Sequence, residues 1–131
     1  MAKVYTTEIH VRGYELDSFG HVNHATYISY MEHARWLCLA AEGITREKLN
    51  EWKTWPVIAE LKAKYLKPTY IGDTLRIETQ TLEKFRTHFV VHQKIFRQDK
   101  QVFEGEVKVV LVNEEGRPTQ MPQAFDALAR E

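Results

Sequence analysis

Residues 24–42 read as one helix that is apolar almost all the way round, and no other stretch limits the fold so strongly. Ala25, Tyr27, Ile28, Tyr30, Met31, Ala34, Trp36, Leu37, Cys38, Leu39, Ala40 and Ala41 surround the cylinder, leaving only a polar stripe through Thr26, Ser29 and His33. A helix lying on a protein surface has one apolar stripe and one polar face. One that is apolar on nearly every side is buried within its domain. The expectation is a long central helix enclosed by other elements. Asn23 suits its N-cap, and Gly43 suits a left-handed stop at its C-terminus.

The rest of the chain supplies the enclosing elements. Residues 6–12 alternate, with Thr7, Ile9 and Val11 on one face, as in a half-buried strand. Thr45, with Glu47 in the first turn, opens a short helix to about Trp52. After Pro56 the pattern turns to strands. Val57–Tyr65 alternates up to Pro68, Gly72-Asp73 marks a turn, and Thr74–Leu82 is rich in β-formers. Phe89, Val91, Gln93 and Ile95 alternate with His88, Val90, His92, Lys94 and Phe96 along the next strand, and Asp99-Lys100 turns into Val102–Val112. Pro122 opens a last short helix through Ala129. Four successive strands with short connections imply an antiparallel meander curved around the helix, an α+β architecture. The length of 131 residues and the lack of linkers or repeats predict one domain over 1–131.

Charge and cysteine usage exclude several classes of function. Lys+Arg and Asp+Glu are equal at 18 each, so no bulk field draws the chain to nucleic acid or an acidic membrane. The single cysteine, Cys38, rules out an internal disulfide and reads as a small buried residue. The histidines (His10, His21, His24, His33, His88, His92) fit no zinc pattern, and no glycine-rich phosphate loop is present. No apolar run reaches membrane-spanning length, and the N-terminus lacks a signal-peptide core. A cytoplasmic enzyme or binding module is expected, without metal, nucleotide or redox cofactor.

The chemistry-bearing stretch precedes the helix. Asp17 sits in a turn-prone segment with Ser18 and Gly20, so its carboxylate is expected near the free amides of the helix start. A carboxylate facing amide donors across a small gap suits attack on a carbonyl, the amides holding the developing oxyanion. The plainer role for Asp17 is a turn residue. Tyr14 offers a hydroxyl near Asp17, or packing alone. Glu32 and Arg35, at i,i+3 on a buried helix, are expected to form an ion pair, with a site-edge role for Glu32 as the second reading. Arg86-Thr87-His88, where the chain enters a strand, is the candidate for holding the phosphate-bearing part of a ligand.

The positions Tyr14, Asp17, Gly20, Val22, Tyr27, Glu32 and Arg35 reproduce a Tyr…Asp…Gly-x-Val…Tyr…Glu…Arg pattern, and Tyr65–Asp73 ends in a Pro…Gly-Asp turn. Together they resemble the 4-hydroxybenzoyl-CoA thioesterase family, in particular its YbgC-like acyl-CoA thioesterases of hotdog fold. The resemblance covers roughly residues 6–115. It implies a curved antiparallel sheet around a long helix and hydrolysis of an acyl-CoA or acyl-carrier-protein thioester, coenzyme A entering only as part of the substrate. It places Asp17 on the catalytic carboxylate, as nucleophile or as general base toward water, and the backbone amide near His24 where the thioester oxygen is polarised. Family members carry either G-H-V-N-N-A or a form with His before the Ala. This chain, Gly20-His21-Val22-Asn23-His24-Ala25, has a histidine at both places, which gives the His24 side chain a possible part in the site. Rival readings are a non-catalytic acyl-thioester binding module and an enoyl-thioester hydratase. The retained Asp17 disfavours the first, and the lack of an Asn-Pro…His follow-on disfavours the second. The family also implies a homodimer or homotetramer with sites at the interface, and the long strands Thr87–Phe96 and Val102–Val112 are expected as the sheet edges that pair.

Overall fold

Alternation along the strands decides which side of the sheet meets the helix, and four of the five strands follow it, the exception running from Trp55 to Tyr65. A computed structural model describes residues 2–131. The elements are β1 (Tyr5–His10), α1 (His24–Ala41), α2 (Arg46–Trp52), β2 (Trp55–Tyr65), β3 (Thr74–Lys84), β4 (His88–Arg97) and β5 (Lys100–Val112). Short 3₁₀ turns cover Gly13–Glu15 and Gln123–Ala129. On β4 the inner residues are Phe89, Val91, Gln93 and Ile95, as their period of two predicts. With Leu75, Ile77, Phe103, Val107 and Leu111 they form the floor on which Tyr30 and Met31 of α1 rest. Asn23 caps α1 through its side chain, and Thr45 does the same for α2.

The pairing of the strands departs from the expected meander. All five strands are antiparallel, in the order β1-β3-β4-β5-β2. Only β3, β4 and β5 follow one another; β2 lies outside β5, and residues 66–73 carry the chain back across to β3. The sheet edges are therefore β1 and β2. The strands expected at the edge, β4 and β5, are interior. Alternation reports which face of a strand is buried but carries nothing about its neighbour, which is why the sequence pattern misplaced β2.

A second correction concerns α1. Its side facing the sheet is buried through Tyr27, Tyr30, Met31, Ala34, Cys38 and Leu39. The other side is open: Ala25, Ala40 and Ala41 are exposed, with Trp36 at 39% and Leu37 at 42%. One five-stranded sheet covers one side of a helical cylinder, so a helix apolar on two sides is left with uncovered surface.

Candidate active site

The loop joining β1 to α1 is organised around a buried carboxylate that the sequence pattern did not single out. Glu15 Oε1 accepts from the Arg12 backbone N–H at 2.9 Å and from the Tyr30 hydroxyl at 2.7 Å, while Arg12 Nη2 meets Oε2 at 2.7 Å. Burial pushes this carboxyl up, but the hydrogen bonds from Arg12 and Tyr30 outweigh it and leave its pKa below the ordinary value. Desolvation, reinforced by Glu15, pushes the Tyr30 phenol up. The backbone of Glu15 also accepts from the Asn23 N–H at 2.8 Å, which ties the loop to the N-cap of α1. The only trace in the sequence is an arginine three residues before the glutamate.

Asp17 follows directly. Its Oδ1 accepts from the backbone N–H groups of Phe19 at 2.9 Å and His21 at 3.1 Å. The Asp17 N–H donates to the His21 carbonyl at 2.7 Å, and Gly20 closes the turn at φ +80°, a conformation that glycine adopts without strain. Among the described residues Oδ2 accepts no hydrogen bond. The carboxylate is thus held at one oxygen and free at the other.

At the start of α1, Asn23 Oδ1 takes the Ala25 amide at 2.8 Å and the Asn23 carbonyl takes the Thr26 amide at 3.0 Å. Among the described residues the His24 amide has no acceptor, as expected of a first-turn N–H. The Tyr65 hydroxyl donates to the His24 carbonyl at 2.8 Å and fixes the end of β2 against the helix start. Asp17, His21, His24, Tyr27, Tyr65 and Lys67 line one open cavity of about 280 Å³. Leu66, Lys67 and Pro68 form its far wall, and the chain that follows them is tied down. There Thr69 accepts the Val22 amide at 2.9 Å and meets the Tyr27 hydroxyl at 2.6 Å, while Arg97 binds the Pro68 carbonyl at 3.0 Å and Asp73 at 3.2 Å.

The structure brings Asp17 and His24 together and separates the other expected residues. The Tyr14 side chain is 81% exposed, lies beside the Arg12 guanidinium and makes no hydrogen bond to Asp17. The expected Glu32–Arg35 ion pair is absent among the described residues; Arg35 Nη1 donates to Gln93 Oε1 at 3.0 Å instead. Glu32 and Arg35 line a second, apolar cavity of about 100 Å³ near the C-terminal half of α1. Arg86, Thr87 and His88 lie at the turn between β3 and β4, whereas Arg97 and Asp73, beside the Asp17 cavity, lie at the opposite end of those strands. That separation is about 30 Å at ordinary strand rise. The lysine in the Asp17 cavity is Lys67. His21 packs by its ring between Phe19 and Tyr70, with centroids at 6.2 and 5.3 Å. Among the described residues no group of three or more His, Cys, Asp or Glu is placed to hold a metal ion, and no helix among them is long and apolar enough to cross a membrane.

Comparison with known proteins gives consistent matches. Residues 11–128 match the family described as the thioesterase-like superfamily. The acyl-CoA thioesterase YbgC of Helicobacter pylori is 32% identical over 126 residues, covering 89% of this chain and 90% of that protein. The long-chain acyl-CoA thioesterase FadM of Escherichia coli is 35% identical over 78 residues, 56% of this chain; that match spans 55%, about half, of FadM's own length. A hypothetical protein of Aquifex aeolicus superposes with a TM-score of 0.90 at 24% identity, over 96% of this chain and 99% of that one, which establishes the shared fold.

Proposed function

The chain belongs to the thioesterase-like superfamily, among the YbgC-like thioesterases of hotdog fold, and we propose that it hydrolyses acyl thioesters at the Asp17–His24 cavity. Water and an acyl-CoA or acyl-carrier-protein thioester yield the free acid and the thiol. The observation that carries this reading is the half-anchored carboxylate: two amides hold Asp17 Oδ1 and leave Oδ2 free in the same cavity as the unpaired His24 amide. The thioester carbonyl oxygen accepts from the His24 amide, which strengthens as negative charge grows on that oxygen. Asp17 Oδ2 then attacks the carbonyl carbon to give a mixed anhydride, or takes the proton of the attacking water. The thiolate leaves in either route, and in the first a water then hydrolyses the anhydride, releasing the acid and restoring Asp17. Lys67, at the cavity mouth, suits the phosphates of coenzyme A. The residues present supply nucleophile or base and oxyanion donor by themselves, so turnover needs no metal, nucleotide or redox cofactor.

The active unit in this reading is a homodimer or larger, with a shared site. Two β2 edges paired across a two-fold axis run antiparallel, which brings the Trp55 end of one strand beside the Tyr65 end of the other. The β3–β4 turn lies at the Trp55 end of its own sheet. A two-fold of this kind carries Arg86, Thr87 and His88 of one chain toward the Asp17 end of its twin, and the partner encloses the open side of α1.

The decisive experiment replaces Asp17 by Asn, which removes nucleophile and base character at nearly constant volume. Thiol release from acyl-CoA should fall by about a hundredfold to ten-thousandfold while the variant still folds and binds substrate. Near wild-type turnover would refute the assignment. Chelation should leave the wild-type rate unchanged, and loss that a divalent ion restores would count against it.

A further inference from the structure

The first turn of α1 carries the amide donor at the Asp17 cavity, yet that turn is poorly covered. His24 and Ala25 are exposed and Asn23 is half-buried. Helix ends fray unless something outside the turn holds them. Asn23 Oδ1 holds the Ala25 amide, but Asn23 belongs to the same turn and moves with it. Among the described residues one side chain of the sheet bonds to the backbone of residues 23–26: Tyr65, whose hydroxyl donates to the His24 carbonyl at 2.8 Å. A carbonyl oxygen has two lone pairs, so it can serve the phenol as well as the helix amide four residues on. The peptide joining His24 to Ala25 is thereby pinned at its oxygen from β2 and at its N–H by the cap.

Packing fixes where that hydroxyl sits. Tyr65 is the last residue of β2 and pairs with Phe103 of β5. Its ring meets Tyr27 edge-on with centroids at 5.5 Å and Phe103 at 5.2 Å, while those two rings stack on each other at 5.1 Å. Tyr27 and Phe103 belong to the close-packed core, so the seat of the Tyr65 ring is rigid. The same ring lines the Asp17 cavity beside His24. Partial burial raises the pKa of the phenol, which therefore keeps its proton and stays a donor. Holding the His24 carbonyl limits the torsions at His24 and with them the direction of its free N–H. A donor aligned with an oxyanion acts most strongly as charge builds on that oxygen, so its alignment is read in kcat rather than in KM.

We propose that Tyr65 is a positioning residue for thioester hydrolysis: its hydroxyl holds the first peptide of α1 so that the His24 amide stays aligned with the developing oxyanion. The inference rests on the assignment of the thioester to the Asp17–His24 cavity. Its test is Tyr65→Phe in the intact chain, which keeps the ring on Tyr27 and Phe103 and removes only the hydroxyl. The substrate is whichever of benzoyl-, hexanoyl- and palmitoyl-CoA the wild type hydrolyses fastest. With the urea unfolding midpoint unchanged, kcat should fall about tenfold, as loss of one hydrogen bond allows, while KM stays within about twofold of wild type. Asn23→Gly, a change that a cap position tolerates, loosens the same peptide from its N–H side. Because both act through one peptide, kcat of the double variant should depart from the product of the single losses by at least about twofold. Unchanged kcat in Tyr65→Phe would overturn the inference. So would a rise in KM alone, which marks a substrate contact, a loss that vanishes once the rate is corrected for the folded fraction, or losses that simply multiply. Asp17→Asn keeps the two readings apart: if it abolishes hydrolysis while Tyr65→Phe retains its kcat, only this inference fails, and if hydrolysis persists in Asp17→Asn, the site assignment itself fails.

Discussion

Glu15 and Asp17 stand two residues apart and are treated in opposite ways. Glu15 is sealed beneath the loop with three donors on its carboxylate, and it touches nothing a substrate reaches. Its work is to hold the loop so that Asp17 arrives with one oxygen bound and one free. Glu15→Gln keeps the shape but sets an amide N–H against the donors of Arg12 or Tyr30. Stability at neutral pH should fall by about 1–3 kcal/mol, read from urea unfolding. The pH dependence has a definite sign. The folded-state pKa is depressed below the ordinary 4.5, so the stabilisation is fully present above that value and is lost as the pH falls through the folded-state value. The gap between wild type and Glu15→Gln should therefore narrow in acid below about pH 4.5. An unchanging gap would mean that the glutamate contributes packing rather than charge.

At the scale of elements, α1 is set by how closely it approaches β5. Gly105 lies at the crossing, where an added Cβ would run into the Met31 thioether, with Sδ at 2.8 Å and the Phe103 ring at 3.1 Å. Met31 has no exposed surface and cannot swing clear into solvent. Gln93, fully buried on β4, stitches the same contact by donating to the Met31 carbonyl and to Thr79 at 3.0 Å each. Gly105→Ala should cost about 1–3 kcal/mol through overpacking, and Met31→Ala in the same chain should return part of that loss because it vacates the colliding atoms. Chemical denaturation of the two singles and the double gives the coupling. Strict additivity would show that the helix sets its distance from the sheet elsewhere.

The whole molecule leaves apolar surface uncovered along one sheet edge and on the open side of α1. Along the edge strand β2, Val57, Ile58 and Leu61 are 43%, 47% and 43% exposed, and the open side of α1 adds Trp36 and Leu37. A long apolar edge with unpaired backbone groups is a poor surface for a lone chain and a good one for its twin. Sedimentation should find a dimer or tetramer, and Val57→Lys with Leu61→Lys should dissociate it and lower turnover in parallel. A stable, fully active 15.4 kDa monomer would refute the shared site.

The sequence by itself determined the local matters: the helix and its caps at Asn23 and Thr45, the alternation along β4, and the placing of Asp17 just ahead of free amides. Each depends on residues within a few positions of one another, where periodicity and side-chain chemistry act directly. The tertiary structure alone decided that β2 lies outside β5, that α1 keeps an open side, that Arg35 turns to Gln93 rather than Glu32, and that Glu15 underpins the site. Those outcomes join residues far apart in the chain. Alternation along a strand is the same whichever neighbour it pairs with, and a charge on a helix takes its partner from whatever the sheet presents to it.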